Sequence, residues 1–230
     1  MELDNPVWAA LNGPHHQFAQ YNGRAVRYLD DVSRFAAIES PADLVAWGDL
    51  APLAHGNAIA LIGVATDQVP KGWRTLRHLP VVQMIDGDRL RSVQSTFADL
   101  EALGPLDVPE MLQLVALTEP GPFQPRTIEL GGYLGIRAEI EGNPLVAMAG
   151  QRLATNMWRE VSAVCTDPAY QGRGFARRLV NAVVARAHSR GERTFLHVLL
   201  GNPAIGLYDA MGFESRREID ILVVQHLPAD

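Results

Sequence analysis

The stretch VCTDPAYQGRGFARR, residues 164–178, decides the fold of this 230-residue chain. An apolar run ends here in a short loop with two glycines, Gly172 and Gly174, and a helical pattern follows at once. Glycine allows the tight turns in which successive backbone N–H groups converge, and the first N–H groups of a helix have no partner inside the helix. The stretch therefore predicts an anion-binding loop between a strand and a helix.

The arginines of this stretch strengthen the prediction. Arg173, Arg177 and Arg178 lie at the positive end of the helix dipole, where each cation costs about 0.3–1 kcal/mol. No acidic residue between Gln171 and Val180 offsets them, so a bound polyphosphate would make the arrangement favourable. On these residues alone, a plain glycine-rich turn with solvated arginines is the alternative.

Two other phosphate-binding loops do not fit the sequence. A P-loop ends in Gly-Lys-Ser or Gly-Lys-Thr, and this stretch has neither. A dinucleotide-binding fingerprint needs a glycine or alanine where Arg177 stands.

Apolar patterns around the loop predict a β-β-β-α-β-α-β order. Strands are predicted over residues 133–140, 145–153, 159–166, 194–200 and 218–225, and helices over 174–189 and 203–211. Another helix is predicted after Asp107, which would be its N-cap. Residues 1–95 predict a helix over 41–53 capped by Ser40 and strands over 58–64 and 81–85, without any chemical motif.

Two motifs together resemble the GNAT superfamily of N-acetyltransferases. The family's acyl-CoA-binding motif, Gln/Arg-x-x-Gly-x-Gly/Ala, reads QGRGFA over residues 171–176. The family's Ala-Ile-x-Leu-Tyr-x-x-x-Gly-Phe ending reads AIGLYDAMGF over residues 204–213. The resemblance covers residues 96–230 and implies an α/β (α+β) fold of GNAT type, with a mixed, mostly antiparallel central sheet flanked by helices.

Residues 1–95 lie outside this resemblance. We expect them to form an additional N-terminal α/β segment before a GNAT domain of residues 96–230. A degenerate GNAT-like half is one interpretation of this segment. Residues 1–95 would either shape the acceptor pocket or form the surface of a homodimer.

The resemblance also implies acetyl-CoA, or CoA, as co-substrate, with no metal. The backbone amides of residues 172–177 would bind the pyrophosphate. The edge of the strand at residues 164–166 would pair with the pantetheine arm and polarise the thioester carbonyl, in a gap where this strand and the one ending near Leu199 splay apart. The family's pantetheine-binding Asn falls at Gly201 here, so Asn202 is the candidate. The implied cofactor-binding set is Val164, Cys165, Thr166, Gln171, Gly172, Arg173, Gly174, Phe175, Ala176, Arg177 and Asn202.

The same resemblance supplies candidates for proton transfer. Tyr208 matches the family's general-acid tyrosine, which would protonate the leaving thiolate; packing of its helix is the alternative. Glu160 resembles the catalytic glutamate of histone-type members and is the candidate base; a water chain, with Glu160 as an exposed carboxylate beside Arg159, is the alternative. Strand alternation places Glu160, Ser162, Val164 and Thr166 on one face, and Cys165 on the other unless a bulge intervenes.

Other reactive or aromatic residues favour structural roles. Cys165 lies in an apolar run with no histidine at a suitable near spacing, which favours a core thiol over a nucleophile. His15 and His16 would need further ligands to hold a metal. Trp47, Trp73 and Trp158 are expected in the core rather than around an acceptor.

Composition narrows the function classes. The net charge of −6 disfavours a nucleic-acid partner. The absence of a long apolar run and of a leader pattern, with a single cysteine, predicts a cytoplasmic protein without membrane attachment. The leading hypothesis is an N-acyltransferase acting on a primary amine of a small molecule or peptide. A catalytically inactive CoA-binding regulatory module and a plain nucleotide-phosphate binder are the alternatives.

Overall fold

The computed structural model describes residues 2–91 and 100–227. Within these residues the strands are β1 (Ala19–Asn22), β2 (Ala25–Tyr28), β3 (Phe35–Ile38), β4 (Ala58–Ile62), β5 (Trp73–Asp86), β6 (Glu101–Leu103), β7 (Tyr133–Arg137), β8 (Leu145–Ala154), β9 (Trp158–Thr166), β10 (Arg193–Leu199) and β11 (Phe213–His226). The helices are α1 (Pro6–Leu11), α2 (Leu44–Ala54), α3 (Asp88–Arg91), α4 (Val108–Thr118), α5 (Phe175–His188) and α6 (Ala204–Met211). Short 3-10 helices connect them at Glu2–Asp4, His16–Phe18, Thr66–Gln68, Pro105–Asp107, Thr127–Leu130 and Pro168–Tyr170.

The strands form one sheet in the order β1-β2-β3-β4-β11-β5-β10-β9-β8-β7-β6. The two long strands, β5 and β11, lie in its centre and pair antiparallel. A parallel pair lies on either side, β3 with β4 and β9 with β10, and one helix joins the strands of each pair, α2 and α5 respectively. The predicted mixed, mostly antiparallel sheet flanked by helices is therefore confirmed.

The helices cover both faces of the sheet. The buried residues of α5, among them Leu179 and Val183, pack on Val161 and Leu196 of β9 and β10. This is the apolar face that its sequence predicts. On the opposite face, α4 packs near Cys165, and the first residues of the chain pack on β10 and β8.

One predicted helix cap, Ser40, is wrong, and the other, Asp107, occupies the N-cap position without a side-chain capping bond. Helix α2 begins after Asp43, whose carboxylate accepts the Val45 N–H at 2.9 Å, rather than after Ser40. Asp107 precedes α4 but makes no side-chain hydrogen bond into it. Its carboxylate accepts the Gly104 N–H at 2.7 Å and pairs with Arg137 at 2.6 Å. Both carboxylate oxygens of Asp107 are therefore bound outside the helix.

Several strands differ from the sequence-based boundaries. Strand β5 begins at Trp73, earlier than predicted. Its first part is mostly exposed and is held by pairing with β11, so the sequence carries no apolar signal there. Strands β1, β2 and β3 have four residues each, too few for a recognisable pattern. The boundary expected between residues 95 and 96 falls outside the described residues, and β5 lies between β11 and β10 of the C-terminal part. No helix in residues 2–91 and 100–227 is long and apolar enough to cross a bilayer.

Candidate active site

A gap opens inside the sheet between β9 and β10. The two strands pair in parallel only from Trp158 with Arg193 to Glu160 with Phe195. Beyond that point β9 continues with β8, and β10 continues with β5. Residues 162–164 and His197 are partly exposed although they belong to central strands. The gap therefore provides the splayed geometry that the family resemblance implies.

A bulge in β9 lines this gap. Ala163 has a φ of +51°, and the register shifts from Ser162 opposite Gly150 to Cys165 opposite Met148. One extra residue on β9 reverses the alternation of side chains. Cys165 therefore lies on the face of Ser162, among residues that pack with α4, and Val164 packs on the side of α5. The expectation that Val164 and Thr166 share a face with Glu160 is wrong for this reason.

The predicted anion-binding loop connects β9 to α5. Gly172 and Gly174 have φ values of +77° and +76°. A Cβ at either position would meet open space, so the backbone conformation, rather than crowding, calls for glycine. The first backbone hydrogen bond of α5 runs from the Arg178 N–H to the Gly174 carbonyl at 3.1 Å. The N–H groups of residues 175–177 precede this bond and are available at the helix start.

The side chains of this loop face solvent. Gln171, Arg173 and Arg177 are exposed, and Phe175 and Ala176 are partly buried. The Arg173 guanidinium stacks on the Tyr170 ring at 4.9 Å. The loop thus joins exposed N–H donors to exposed guanidinium groups, which is the chemistry that a pyrophosphate needs.

Tyr208 lies on α6, beyond the open end of β10. Its side chain is buried and packs edge to face on Phe213, with ring centroids 5.8 Å apart. Burial raises the pKa of Tyr208 to about 12. The phenol therefore stays protonated near neutral pH and keeps an O–H that can act as a donor.

Asn202 lies in the turn between β10 and α6. Gly201 has a φ of +81°, which allows this turn. The Asn202 side-chain oxygen accepts the Ala204 N–H at 2.8 Å, so that it holds the first turn of α6. A contact with the pantetheine arm stays a prediction.

Glu160 lies at the closed end of the gap and is fully buried. Arg152 binds both of its oxygens, at 2.9 and 2.7 Å, and His197 Nδ1 lies 2.8 Å from Oε1. Burial alone would raise the pKa of Glu160, but the charge and hydrogen bonds of Arg152, with those of His197, lower it to about 2. The alternative of an exposed carboxylate beside Arg159 is wrong, because Arg159 binds Glu192 at 2.5 Å.

Sequence reasoning missed His197, which contacts Glu160, and Gln83, which contacts His197. His197 interrupts an apolar strand, which is a signal of a buried polar partner, and Gln83 does the same in β5. The Gln83 amide nitrogen lies 3.0 Å from His197 Nε2 and donates to the Leu3 carbonyl at 2.9 Å. Arg216 donates to the Gln83 oxygen at 2.7 Å. A continuous polar network therefore runs from β11 to the closed end of the gap.

The other candidates take structural places. Cys165 is buried, and burial raises the pKa of its thiol to about 11, which disfavours a thiolate. Burial lowers the pKa of His15 to about 4, and its ring nitrogens contact the Tyr28 hydroxyl at 2.7 Å and the Leu130 carbonyl at 3.2 Å. Trp47 and Trp73 pack on each other at 5.3 Å, in the core beside α2.

Known proteins share this arrangement. A family model described as FR47-like protein matches residues 133–221, which span β7 to most of β11. The crystal structure of a GNAT-family protein from Novosphingobium aromaticivorans is 35% identical, with a TM-score of 0.85, and the match covers 99% of this chain and 100% of that one. A GCN5-related N-acetyltransferase from Kribbella flavida is 18% identical with a TM-score of 0.63, over 97% of this chain and 95% of that one, and so shares the fold.

The N-alpha-acetyltransferase RimI of Mycobacterium tuberculosis is 40% identical over 86 residues. The match covers 36% of this chain and 51% of RimI, so this chain spans about half the length of that relative. The relative from Novosphingobium, by contrast, matches over its full length at a clear level of identity. Together with the divergent strands and the glycine loop, it shows that this chain belongs to the GNAT family of acetyltransferases.

Proposed function

We propose that this protein transfers an acetyl group, or another short acyl group, from acyl-CoA directly to a primary amine of a small molecule or peptide. The observation that carries the proposal is the gap between β9 and β10, whose β9 side leads straight into an exposed N–H-rich loop. A thioester arm in the gap and a pyrophosphate on the loop would lie on one continuous path.

The residues of the loop fit the pyrophosphate of CoA. The N–H groups of residues 172–177 would bind its oxygens, and Arg173 and Arg177 would add charge from an exposed position. Val164, Cys165 and Thr166 would offer backbone groups to the pantetheine arm, as an added strand does. An N–H group at the bulge would polarise the thioester carbonyl.

The chemistry needs two proton transfers. The acceptor must lose a proton before it attacks, and the leaving thiolate must gain one. Tyr208, protonated and at the open end of β10, would supply the second proton. Glu160, at the closed end of the gap, or a chain of waters would take the first.

An α-amino group is the first acceptor class to test. The relative from Mycobacterium tuberculosis is named an N-alpha-acetyltransferase. The net charge of −6 favours a neutral or cationic acceptor over an anionic one. An amino acid amide and a short peptide with a free N-terminus therefore come before anionic amines.

Thermal unfolding in parallel samples with acetyl-CoA, CoA, ATP and NAD tests the cofactor. Binding to the folded state raises the midpoint by an amount set by ligand concentration over Kd. We expect a rise with the two CoA species that ATP and NAD do not produce. No rise with CoA in a folded sample would overturn the proposal.

Thiol release from acetyl-CoA then tests catalysis. Glycinamide, spermidine and a tripeptide with a free N-terminus form the first set of acceptors. Enzyme-dependent release with any of them excludes an inactive module. A CoA-dependent midpoint without release from any amine would favour the CoA-binding regulatory module instead.

A further inference from the structure

We propose, building on the acyltransferase function above, that His197 takes the proton from the acceptor ammonium and that Glu160 is the carboxylate that orients its imidazole. The two residues lie on the two strands that diverge, and their side chains meet where the gap closes. This assignment makes a histidine of β10, rather than the glutamate of β9, the base of the reaction.

The position of the imidazole follows from strand alternation. His197 lies two residues beyond Phe195, the last residue of β10 that pairs with β9, so both side chains point to one face. Their rings are 5.6 Å apart. Leu196 and Val198 face the core beneath α5, which leaves His197 on the opposite face.

The imidazole is buried on the sheet face opposite α5, where β9 and β10 begin to diverge. The His197 side chain is only 2% exposed, whereas the residue as a whole is partly exposed. The exposed part is therefore the backbone, which borders the gap. The ring reaches diagonally from β10 to Glu160 of β9 and so bridges the closed end of the gap.

Hydrogen bonds fix which ring nitrogen is basic. The Gln83 amide nitrogen can only donate, so His197 Nε2, at 3.0 Å, accepts. The ring proton then resides on Nδ1, which donates to Glu160 Oε1 at 2.8 Å. A carboxylate on Nδ1 holds this tautomer and stabilises the imidazolium that forms when Nε2 takes a proton.

Glu160 is poorly suited to be the base itself. Arg152 already occupies both carboxylate oxygens, and the pKa of about 2 makes the carboxylate a weak proton acceptor near neutral pH. A general base works best when its pKa is near the working pH. A carboxylate that stays ionised is well suited to orient a neighbouring imidazole.

His197 Nε2 exchanges the N–H of Gln83 for an N–H of the acceptor ammonium, directly or through one water, and takes that proton. The neutral amine attacks the thioester carbon, a C–N bond forms and the C–S bond breaks. Tyr208 protonates the sulfur and regains a proton from the amine nitrogen through solvent, and the imidazolium releases its proton to solvent.

The charged and titratable groups around the pair come from several elements. They are Arg152 of β8, Tyr133 of β7, Tyr28 of β2 and, through Gln83, Arg216 of β11 with Asp4. Burial raises the pKa of both tyrosines, so they stay neutral over the range in which histidines titrate. The arginines stay charged over the same range.

The pH dependence of thiol release tests the assignment, with acetyl-CoA and glycinamide as substrates. We expect wild-type kcat/KM to rise with pH to a plateau and His197→Gln to lose this rising limb, with a rate at least about tenfold lower at the wild-type plateau. His188→Gln is the matched control, because His188 lies at the C-terminal end of α5 and binds Asp86 at 2.8 Å, not Glu160. A rising limb at an unchanged midpoint in folded His197→Gln overturns the proposal.

A second variant covers the case in which His197→Gln does not fold. Gln83→Leu removes the N–H that favours the neutral ring, so the rising limb should move to higher pH. An unmoved limb in this variant also overturns the assignment.

A measurement without turnover separates this proposal from the proposed function. Nitrogen NMR of the histidine rings at neutral pH should show a neutral His197 with its proton on Nδ1 and none on Nε2. A proton on Nε2 of the neutral ring overturns the assignment, whatever the acceptor. Failure of CoA to bind would overturn the acyltransferase function instead.

Discussion

The two parallel strand pairs of the sheet use the same connection in different ways. In the C-terminal half, β6–β11, the chain passes from β9 to α5 through a glycine loop, and no side chain caps the helix. In the N-terminal half, β1–β5, residues 39–43 connect β3 to α2 without a glycine, and Asp43 caps the helix with its own carboxylate. The N-terminal half thus supplies from its own sequence the anion that the C-terminal half would take from a ligand.

The two parallel pairs also differ in how the space beside their strands is filled. Between β3 and β4 the sheet is backed by Trp47 and Leu50 of α2, packed with Ile38 and Ile59. Between β9 and β10 the strands diverge after Phe195. The mirrored order of strands supports the hypothesis that the N-terminal half is a degenerate GNAT-like half, in which packing and a helix cap have replaced a ligand site.

The largest expected effect concerns the buried ion pair at the closed end of the gap. Arg152→Met leaves Glu160 as a buried charge without its main partner. We expect a loss of about 3–5 kcal/mol in the free energy of unfolding, measured with urea. The control is Arg24→Met in the N-terminal half. The Arg24 side chain is exposed where it pairs with Asp43, so this variant should change the free energy of unfolding little.

Acid should weaken the same pair. The folded-state pKa of Glu160 is lowered, so its contribution to stability is present above the unfolded value near 4.5 and is lost as the pH falls towards about 2. Urea unfolding of the wild type from neutral pH downwards should show this loss. Arg152→Met should have a shallower pH dependence over that window; parallel curves would contradict the ion-pair interpretation.

The next effect concerns Tyr208, for which the N-terminal half has no counterpart, since the short 3-10 helix Thr66–Gln68 follows β4 there. Tyr208→Phe keeps the packing on Phe213 but removes the proton donor, so kcat should fall about a hundredfold while the CoA-induced midpoint stays the same. Tyr21→Phe, the same change in the N-terminal half, is the control. An unchanged kcat, with chemistry shown to limit the rate, would remove Tyr208 from the mechanism.

A substitution in the loop can give α5 the cap that α2 has. Gly174→Asp places a carboxylate at the start of α5, and aspartate tolerates the left-handed conformation that this position requires. We expect CoA affinity to fall about tenfold or more, because the new charge repels the pyrophosphate. Gly174→Asn has nearly the same shape without the charge and should bind CoA better than the aspartate variant; equal affinities in the two would argue against phosphate binding at this helix end.

The smallest effect concerns Arg173 at the exposed loop. Arg173→Ala should weaken CoA binding a few-fold at low salt and less at high salt, because exposed charges are screened over about 10 Å at 0.1 M. Arg190→Ala at the other end of α5 is the control and should leave affinity unchanged. Equal affinity of Arg173→Ala and wild type at low salt would refute the contact.

Local patterns predicted most of the C-terminal half. The apolar face of α5 and the glycines of its loop are properties of single segments, so the sequence predicts them directly. The bulge at Ala163 could not be predicted, because alanine carries no preference for a positive φ. The burial of Glu160 could not be predicted either, because Arg152 and His197 reach it from other strands.

Each long central strand lies beside strands of the other half of the chain, and this placement affects the order of folding. Strand β5 belongs to the N-terminal half but borders β10, and β11 belongs to the C-terminal half but borders β4. Their pairing joins Trp73 to His226 and Asp86 to Phe213, across more than half of the chain. Since loops of that length close slowly, the central pair should form late. On the ribosome, the edge of β4 that pairs with β11 therefore stays unpaired until almost the whole chain has been synthesised. A chaperone that shields this edge during synthesis would raise the yield of folded protein.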